Sequence, residues 1–251
     1  MKHADESYDN FQSCFFLVRF VLLIVICAVL FGAATYRNYT WLTVVDLWQD
    51  TVAKSPRKSR PLNSLGTAYA ALGRYDAAID CFKSAIEFGS GQQEIHYYNL
   101  ALAYIRKGAL QEGIAELQEA ISLNSDYVNA HYQLGLAFYV LGRIDQAETE
   151  LKTAVTLDAF RADIHNDLGN IYDVQAKKVL AISEYEKSLQ LNRSNTEALY
   201  NIARLNDQLS KKIAAIRYYS EFVAAASDEY RSEKLIALER IRLLDHETFT
   251  K

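Results

Sequence analysis

The sequence is poor in the residues that build turns and disulfides. It has 2 prolines, 10 glycines and 3 cysteines among 251 residues. Alanine, leucine, glutamate and lysine are abundant instead, which favours an all-α fold over a strand-rich one. Only Cys81 lies beyond the amino-terminal apolar segment, so the rest of the chain has neither a disulfide framework nor a cysteine metal site. With 27 basic and 31 acidic residues, the chain lacks the basic surface that a nucleic-acid backbone requires.

Motifs of catalysis are also missing: there is no glycine-rich phosphate loop, nucleophile elbow or HExxH sequence. We therefore expect no enzymatic activity, no cofactor and no metal. His131 and His165 lie 34 residues apart, which is the period of the repeat described below, and could together bind a metal, but replacement of a packing aromatic is the favoured interpretation. Asp163 and Asp167 could form an acid/base pair, but a solvated helix face is favoured because nothing in the pattern desolvates either carboxylate.

One long apolar run lies near the amino terminus. Residues from Phe20 to Tyr36 carry no charge, and Arg19 is the one interruption of an apolar stretch that begins at Phe11. About 20 such residues span a bilayer, so we predict a tail over 1–13 and a transmembrane helix over 14–36. A cleaved signal peptide and a buried core helix are the alternatives. The acidic residues before Arg19 are unlike a basic signal-peptide leader.

The remainder of the chain is repetitive, with a period of about 34 residues. A small residue follows an apolar one at Leu65-Gly66, Leu100-Ala101, Leu134-Gly135, Leu168-Gly169 and Ile202-Ala203. Later in each unit a second small residue recurs, at Ala78, Gly113, Ala147, Ala181 and Ala215. A bulky residue follows it after four positions, at Phe82, Leu117, Leu151, Tyr185 and Tyr219. Glycines at 73, 108 and 142 mark a turn between the two halves. Each unit is therefore predicted to be two helices in close contact.

This pattern resembles the tetratricopeptide repeat (TPR) family, whose units stack into a right-handed superhelix. The resemblance implies about five repeats over 59–226. A capping helix and tail are predicted over 227–251 because Leu235, Leu238, Ile241 and Leu244 are interpreted as one apolar face. The register also extends backwards, with Trp48 at the bulky position of a second helix, which predicts a degenerate half-repeat and junction over 40–58.

The junction "YRNYTWLTVVDLWQDTVAKSPRKSRPLNSLGTAYAALGR" is similar to that of membrane O-mannosyltransferase-like TPR proteins. In that family the repeats lie away from the cytoplasm. The resemblance implies that Arg19 is on the cytoplasmic side and that the repeats are periplasmic or lumenal. It does not imply the enzymatic activity, because the catalytic membrane helices have no counterpart in this chain.

In TPR proteins the first helix of each unit lines a concave groove, and the positions around the packed small residue touch the ligand. Carried onto this chain, the groove comprises Asn63, Thr67, Tyr98, Asn99, Leu102, Ile105, Tyr132, Gln133, Leu136, Tyr139, Asn166, Asn170, Asp173, Tyr200, Asn201, Arg204 and Asp207. The alternative for each tyrosine is packing in the seam between repeats. The carboxy-terminal part is acidic, through Asp163, Asp173, Glu197 and Asp207, which suits a segment with apolar residues and a basic end. Because Arg106 and Arg204 are the only cations expected there, the clamp for acidic chaperone tails is not reproduced.

These features favour a membrane-anchored scaffold that binds a protein or peptide in its groove and supports assembly of a membrane or envelope complex. One alternative is an accessory subunit that presents polypeptide to a membrane glycosyltransferase. Another is a structural subunit that self-assembles as a homo-oligomer through an exposed end of the repeat array.

Overall fold

The computed structural model describes residues 43–89 and 91–249, and every regular element in these two ranges is helical. The α-helices are α1 (Val44–Lys54), α2 (Ser59–Ala71), α3 (Tyr75–Phe88), α4 (Gln93–Lys107), α5 (Leu110–Leu123), α6 (Val128–Val140), α7 (Ile144–Leu157), α8 (Ala162–Val174), α9 (Lys178–Leu191), α10 (Thr196–Gln208), α11 (Lys212–Ala225) and α12 (Arg231–Phe249). A single 3₁₀ turn, Asp228–Tyr230, precedes α12. The all-α repeat fold predicted from the sequence is confirmed. The chain forms two units, which divide at Ser90 and Gly91.

The first unit contains α1 to α3. Helix α1 begins with a capping box, in which the Asp46 backbone N–H donates to Thr43 Oγ1 and the Thr43 N–H donates to the Asp46 carboxylate, both over 3.1 Å. The helix is fixed to α2 by Gln49 Nε2, which donates to the Tyr69 hydroxyl over 2.6 Å.

The second unit contains four helix pairs followed by α12, and the small and bulky residues of the repeat form its core. A Cβ atom added to Gly135 would lie 2.9 Å from Leu151, and one added to Gly169 would lie 2.6 Å from the Tyr185 ring. Leu151 and Tyr185 are both fully buried. The repeat pattern therefore encodes the close contact between the two helices of each pair.

The turn between paired helices has a left-handed residue at the same place in all five pairs. These residues are Gly73, Gly108, Gly142, Ala176 and Ser210. The backbone N–H of the residue that follows donates to a carbonyl near the end of the first helix. Lys177 N, for example, donates to Tyr172 O over 2.8 Å, and this bond is typical of a Schellman motif. Two of the five positions therefore hold a side chain in a conformation that favours glycine.

We expect Ala176→Gly and Ser210→Gly each to raise the free energy of unfolding by about 0.5 kcal/mol. Relief of the left-handed strain, about 1 to 2 kcal/mol, exceeds the entropy that glycine adds to the unfolded chain. Urea unfolding of each variant measures the change. Gly142→Ala is the matched control, with an expected loss of similar size. Lower stability of both glycine variants would contradict the assignment of strain.

The terminal helix α12 corrects one expectation. Leu244 is buried and Ile241 packs against the core, but Leu235 and Leu238 are 63% and 49% exposed. Each step of three residues falls about 60° short of a full helical turn, so four residues spaced by three spread over half the helix circumference. They cannot share one narrow face. The buried face is instead centred on Ala237, which is 0% exposed.

The predicted tail and transmembrane helix, residues 1–13 and 14–36, lie outside the described residues. Within 43–89 and 91–249, the structure contains no helix with both the length and the hydropathy needed to cross a bilayer. The handedness of the repeat superhelix stays a prediction.

Candidate functional site

The predicted groove residues occupy one register of the repeat. They lie three and two residues before the small residue of each first helix, and one and four residues after it. In the second unit we call these positions on α4, α6, α8 and α10 the first-helix face. All of its predicted members are half-buried, except that Tyr139 is exposed and Asn166 is buried. In the first unit, Asn63 is half-buried and Thr67 is exposed, and both lie in this register on α2.

Neighbouring first helices are joined by polar contacts across this face. The Tyr132 hydroxyl donates to Asp167 Oδ2 over 2.7 Å, which joins α6 to α8. From α10, Asn201 Nδ2 donates to Asn170 Oδ1 over 3.1 Å. Two ion pairs extend the series, Arg204 with Asp173 and Arg240 with Asp207. Several of the predicted groove residues therefore form contacts between neighbouring repeats.

Tyr132 belongs to this seam as much as to the open surface. Besides its hydrogen bond to Asp167, its ring lies 5.3 Å from the Arg161 guanidinium. Burial and the nearby Asp167 carboxylate raise the pKa of Tyr132 well above its usual value. Tyr98 similarly packs on Tyr127, with ring centroids 5.1 Å apart. Of the three tyrosines predicted on α4 and α6, Tyr139 is the most accessible.

The burial of Asp167 contradicts the interpretation of Asp163 and Asp167 as a solvated pair. Burial, together with the charges of Glu197 and Asp163, raises the pKa of Asp167 to about 6, although the hydrogen bond from Tyr132 opposes that rise. Asp163 is exposed and is bound by Arg161 over 2.5 Å, which lowers its pKa. The two carboxylates are one turn apart on α8 but stand in opposite environments.

The raised pKa makes stability depend on pH in a defined direction. Folded Asp167 binds its proton more tightly than the unfolded chain, so its favourable contribution is complete below about pH 4 and is lost as pH rises through about 6. We expect Asp167→Asn to gain stability relative to the wild type between pH 4 and pH 7. Urea unfolding at both pH values measures this difference. Asp163→Asn is the control: because the pKa of Asp163 is lowered, its contribution is lost only as pH falls below about 4, so this variant should follow the wild type closely between pH 4 and pH 7. Parallel pH profiles of wild type and Asp167→Asn would contradict the assignment.

The acidic character predicted for the carboxy-terminal part of the face is partly neutralised. Asp173 and Asp207 pair with arginines, and Arg240 donates to both oxygens of Asp207 over 2.8 Å. Glu197 instead accepts from the Asn170 amide over 3.1 Å. Asp167 and Glu197, by contrast, have no arginine partner among the contacts described. The negative charge that is not neutralised on this face therefore lies at these two residues.

Three residues on α8 and α12 that the sequence analysis left out of the groove lie in the same register as this face. Asp167 corresponds to Gln133 and Asn201, two residues before the small residue of its helix. Leu235 and Leu238 occupy the equivalent positions on α12, around Ala237. Extending the register by one more residue on α8, and into the terminal helix, would have identified all three.

The two histidines have equivalent contacts in successive repeats. His131 Nδ1 lies 2.7 Å from Glu150, and His165 Nδ1 lies 2.6 Å from Glu184. The other ring nitrogen of each lies within 3.2 Å of a backbone oxygen in the preceding turn. Each ring thus ties a first helix to its second helix and to the turn before it. In the described ranges, no cluster of three metal-ligating side chains is present.

Comparison with known families agrees with this geometry. Tetratricopeptide repeat models match residues 59–88 and 132–196, and a further TPR repeat model matches 101–142. The chain contains tetratricopeptide repeats. A search of curated proteins finds no match.

Solved TPR structures share the fold. The C-terminal part of a TPR repeat-containing protein from Cytophaga hutchinsonii has a TM-score of 0.69 and 18% identity, and the match covers 87% of this chain and 88% of that one. MamA has a TM-score of 0.60 and 22% identity, covering 67% and 97%. YrrB, described as a TPR protein with an unusual peptide-binding site, has a TM-score of 0.62 and 16% identity, covering 76% and 97%. At these identities the likeness shows the fold alone.

Proposed function

We propose that this protein is a non-catalytic TPR scaffold that binds an extended polypeptide segment on its first-helix face. The observation that carries this proposal is that successive first helices present apolar side chains and a carboxylate in one register. Apolar side chains that are exposed or half-buried, Leu102, Leu136 and Tyr139, lie in the same register as the carboxylate of Asp167. Protein binding is the common role of TPR repeats, and the peptide-binding site named for YrrB supports the same choice.

The chemistry of the face favours a segment with a basic residue among apolar ones. Asp167 already has a raised pKa, so a lysine or arginine placed beside it would stabilise its charged form. Glu197 adds negative charge at the same place. Leu136 and Tyr139 offer apolar contact nearby on α6, and the Gln133 amide can bond to an extended backbone. The partner therefore differs from the acidic tails that basic TPR clamps bind.

A peptide library displayed on phage and selected on the full-length protein tests this proposal. We expect selected peptides to carry a lysine or arginine flanked by apolar residues. Tyr139→Ala and Asp167→Asn should each weaken binding of a selected peptide by about 1 to 2 kcal/mol, because they remove an apolar contact and the partner charge.

Val179→Ala is the matched control, since Val179 is 73% exposed on a second helix and lies off the face. Its binding should equal that of the wild type. The proposal is wrong if the selected peptides lack a basic residue, or if the face variants bind as well as the control while retaining their helicity.

Anchoring is a separate part of the proposal. We propose that residues 14–36 hold the scaffold at a membrane, with the repeats on the non-cytoplasmic side, where it supports assembly of a membrane or envelope complex. The uncharged run from Phe20 to Tyr36 and the resemblance of the junction support this arrangement. Protease added outside intact cells or sealed vesicles tests it. Digestion of the repeats from the cytoplasmic side alone would overturn the orientation, and recovery of the full chain in the soluble fraction would overturn the anchor.

A further inference from the structure

The second helices of the second and third pairs begin with the same two kinds of residue. Leu110 and Ile144 are half-buried and pack against the core. Gln111 and Asp145, which follow them, are exposed and polar. An apolar residue turned to the core and a polar one turned to water are the usual start of an amphipathic helix.

The fourth and fifth pairs reverse this order at the same two positions. Lys178 and Lys212 stand in the half-buried apolar position. Val179 and Ile213 stand in the exposed polar position, and they are 73% and 83% exposed. The reversal adds nothing to the packing of either pair, yet it recurs in register in two successive repeats. A departure of this kind from the folding pattern indicates a function.

Further lysines make this region positively charged. Lys177 and Lys211 directly follow the left-handed residues of the two turns, and both are exposed. Neither 174–181 nor 208–216 contains an acidic residue, and the aspartate that precedes each segment is paired with an arginine. Lys177 forms an ion pair with Glu148 of α7 over 3.3 Å. We call the exposed and half-buried residues of these two segments the lysine edge.

The two halves of the lysine edge belong to neighbouring helices. The Tyr218 hydroxyl of α11 donates to Glu186 Oε1 of α9 over 3.5 Å, so these second helices lie side by side. Val174 and Leu180 are 55% and 48% exposed and widen the apolar part of the edge. Lysines and aliphatic side chains are therefore interleaved along one end of the fourth and fifth pairs.

This composition fits a lipid surface better than a protein partner. Protein interfaces are enriched in aromatic residues and arginine and depleted in lysine. The two segments of the lysine edge contain four lysines and neither an aromatic residue nor an arginine. At a bilayer surface, exposed aliphatic side chains enter the boundary of the acyl chains, while lysine ammonium groups stay at anionic headgroups with their stems along the apolar layer.

We propose that the lysine edge binds the surface of an anionic phospholipid bilayer, with Val179 and Ile213 in the interfacial layer and the lysines at lipid phosphates. The proposal depends neither on the peptide-binding face nor on residues 14–36. The binding requires anionic lipid and weakens with added salt, because the lysines are attracted by the surface potential of the bilayer.

The test uses a polarity-sensitive fluorophore on the full-length chain, in which the natural cysteines are replaced by serine. The label is placed at Gln208→Cys on the lysine edge, or at Ser194→Cys in the turn between α9 and α10, at the opposite end of the second helices. Both positions are exposed. Vesicles of phosphatidylcholine, with or without phosphatidylglycerol, carry brominated acyl chains that quench the label on contact.

A repatterned variant removes the edge without disturbing the fold. It carries Lys178→Leu, Val179→Gln, Lys212→Ile and Ile213→Asp, which are the residues of the second and third pairs at these positions. It should therefore melt at least as high as the wild type. The charge-matched control carries Arg193→Asp and Arg231→Gln, both exposed and both in turns at the opposite end.

We expect the label at Gln208 to be quenched on vesicles that contain phosphatidylglycerol and to stay unquenched on phosphatidylcholine alone. The repatterned variant should need about tenfold more lipid for half of the quenching, and the charge-matched control should behave as the wild type. Insertion of residues 14–36 cannot produce this result, because it would occur with both lipid mixtures.

Equal quenching at Gln208 and Ser194, or equal quenching of the repatterned variant and the wild type, would overturn the proposal. So would a label at Gln208 that stays unquenched on anionic vesicles. If that label responds to polyglutamate instead, the lysine edge binds an acidic polypeptide and not a bilayer.

Discussion

Replacing Gly169 with leucine is expected to lower the free energy of unfolding by about 3 kcal/mol. A Cβ atom at this position would lie 2.6 to 3.0 Å from three atoms of the Tyr185 ring. That ring cannot move aside easily, because Tyr185 is fully buried and its hydroxyl donates to Asn170 Oδ1 over 2.7 Å. The two helices of the fourth pair must therefore separate. Chemical denaturation monitored by circular dichroism measures the loss.

Gly91→Leu is the matched control, since a Cβ atom at Gly91 would meet nothing within 4 Å. It should change stability by less than about 0.5 kcal/mol. Equal stability of the two variants would show that close contact at the small position does not hold the helix pairs together.

Ending the chain at Ala226 is expected to cause the second large effect, a melting temperature lower by several degrees together with aggregation. Ala226 and Phe222 are buried, and the Phe222 ring lies 6.1 Å from that of Tyr230, which the truncation removes. Asp207 also loses both hydrogen bonds from Arg240. Removing the last helix of a repeat stack exposes the apolar seam of the preceding pair.

The control is a chain that ends at Asp245, because Leu244 is the last buried residue described in α12. It should melt close to the full-length protein. Thermal melting and light scattering of both truncated chains test the expectation. If the chain ending at Ala226 stays monomeric with an unchanged melting temperature, α12 does not protect the core.

The helix pairs were predictable because their close contacts repeat in the sequence. A small residue such as Gly135 and a bulky one such as Leu151 stand at the same separation in every unit, and this constant spacing is sufficient to predict two packed helices. The register of the first-helix face follows from the same small residues. At these positions the residue pattern within one repeat specifies the same contact that the folded helix pair makes.

The properties of individual face residues were less predictable, because they depend on partners one repeat away. Asp167 is desolvated beside Tyr132, which belongs to the preceding repeat. Asp207 is paired with Arg240 from a helix that was interpreted as a simple cap. Single-helix reasoning assigned Asp167 to solvent and Leu235 to the core, because it takes no account of contacts between neighbouring first helices.

The most direct test of the central claim is site-specific photocrosslinking of the full-length protein in cells. A photoreactive amino acid is placed at Leu136 or Tyr139 on the first-helix face, and at Lys152 or Val179 on second helices. The account predicts that the two face positions crosslink the same polypeptide, through a segment that contains a basic residue and apolar neighbours, and that the second-helix positions do not. Adducts formed from the second-helix positions alone, or no polypeptide adduct at Leu136 and Tyr139, would contradict it.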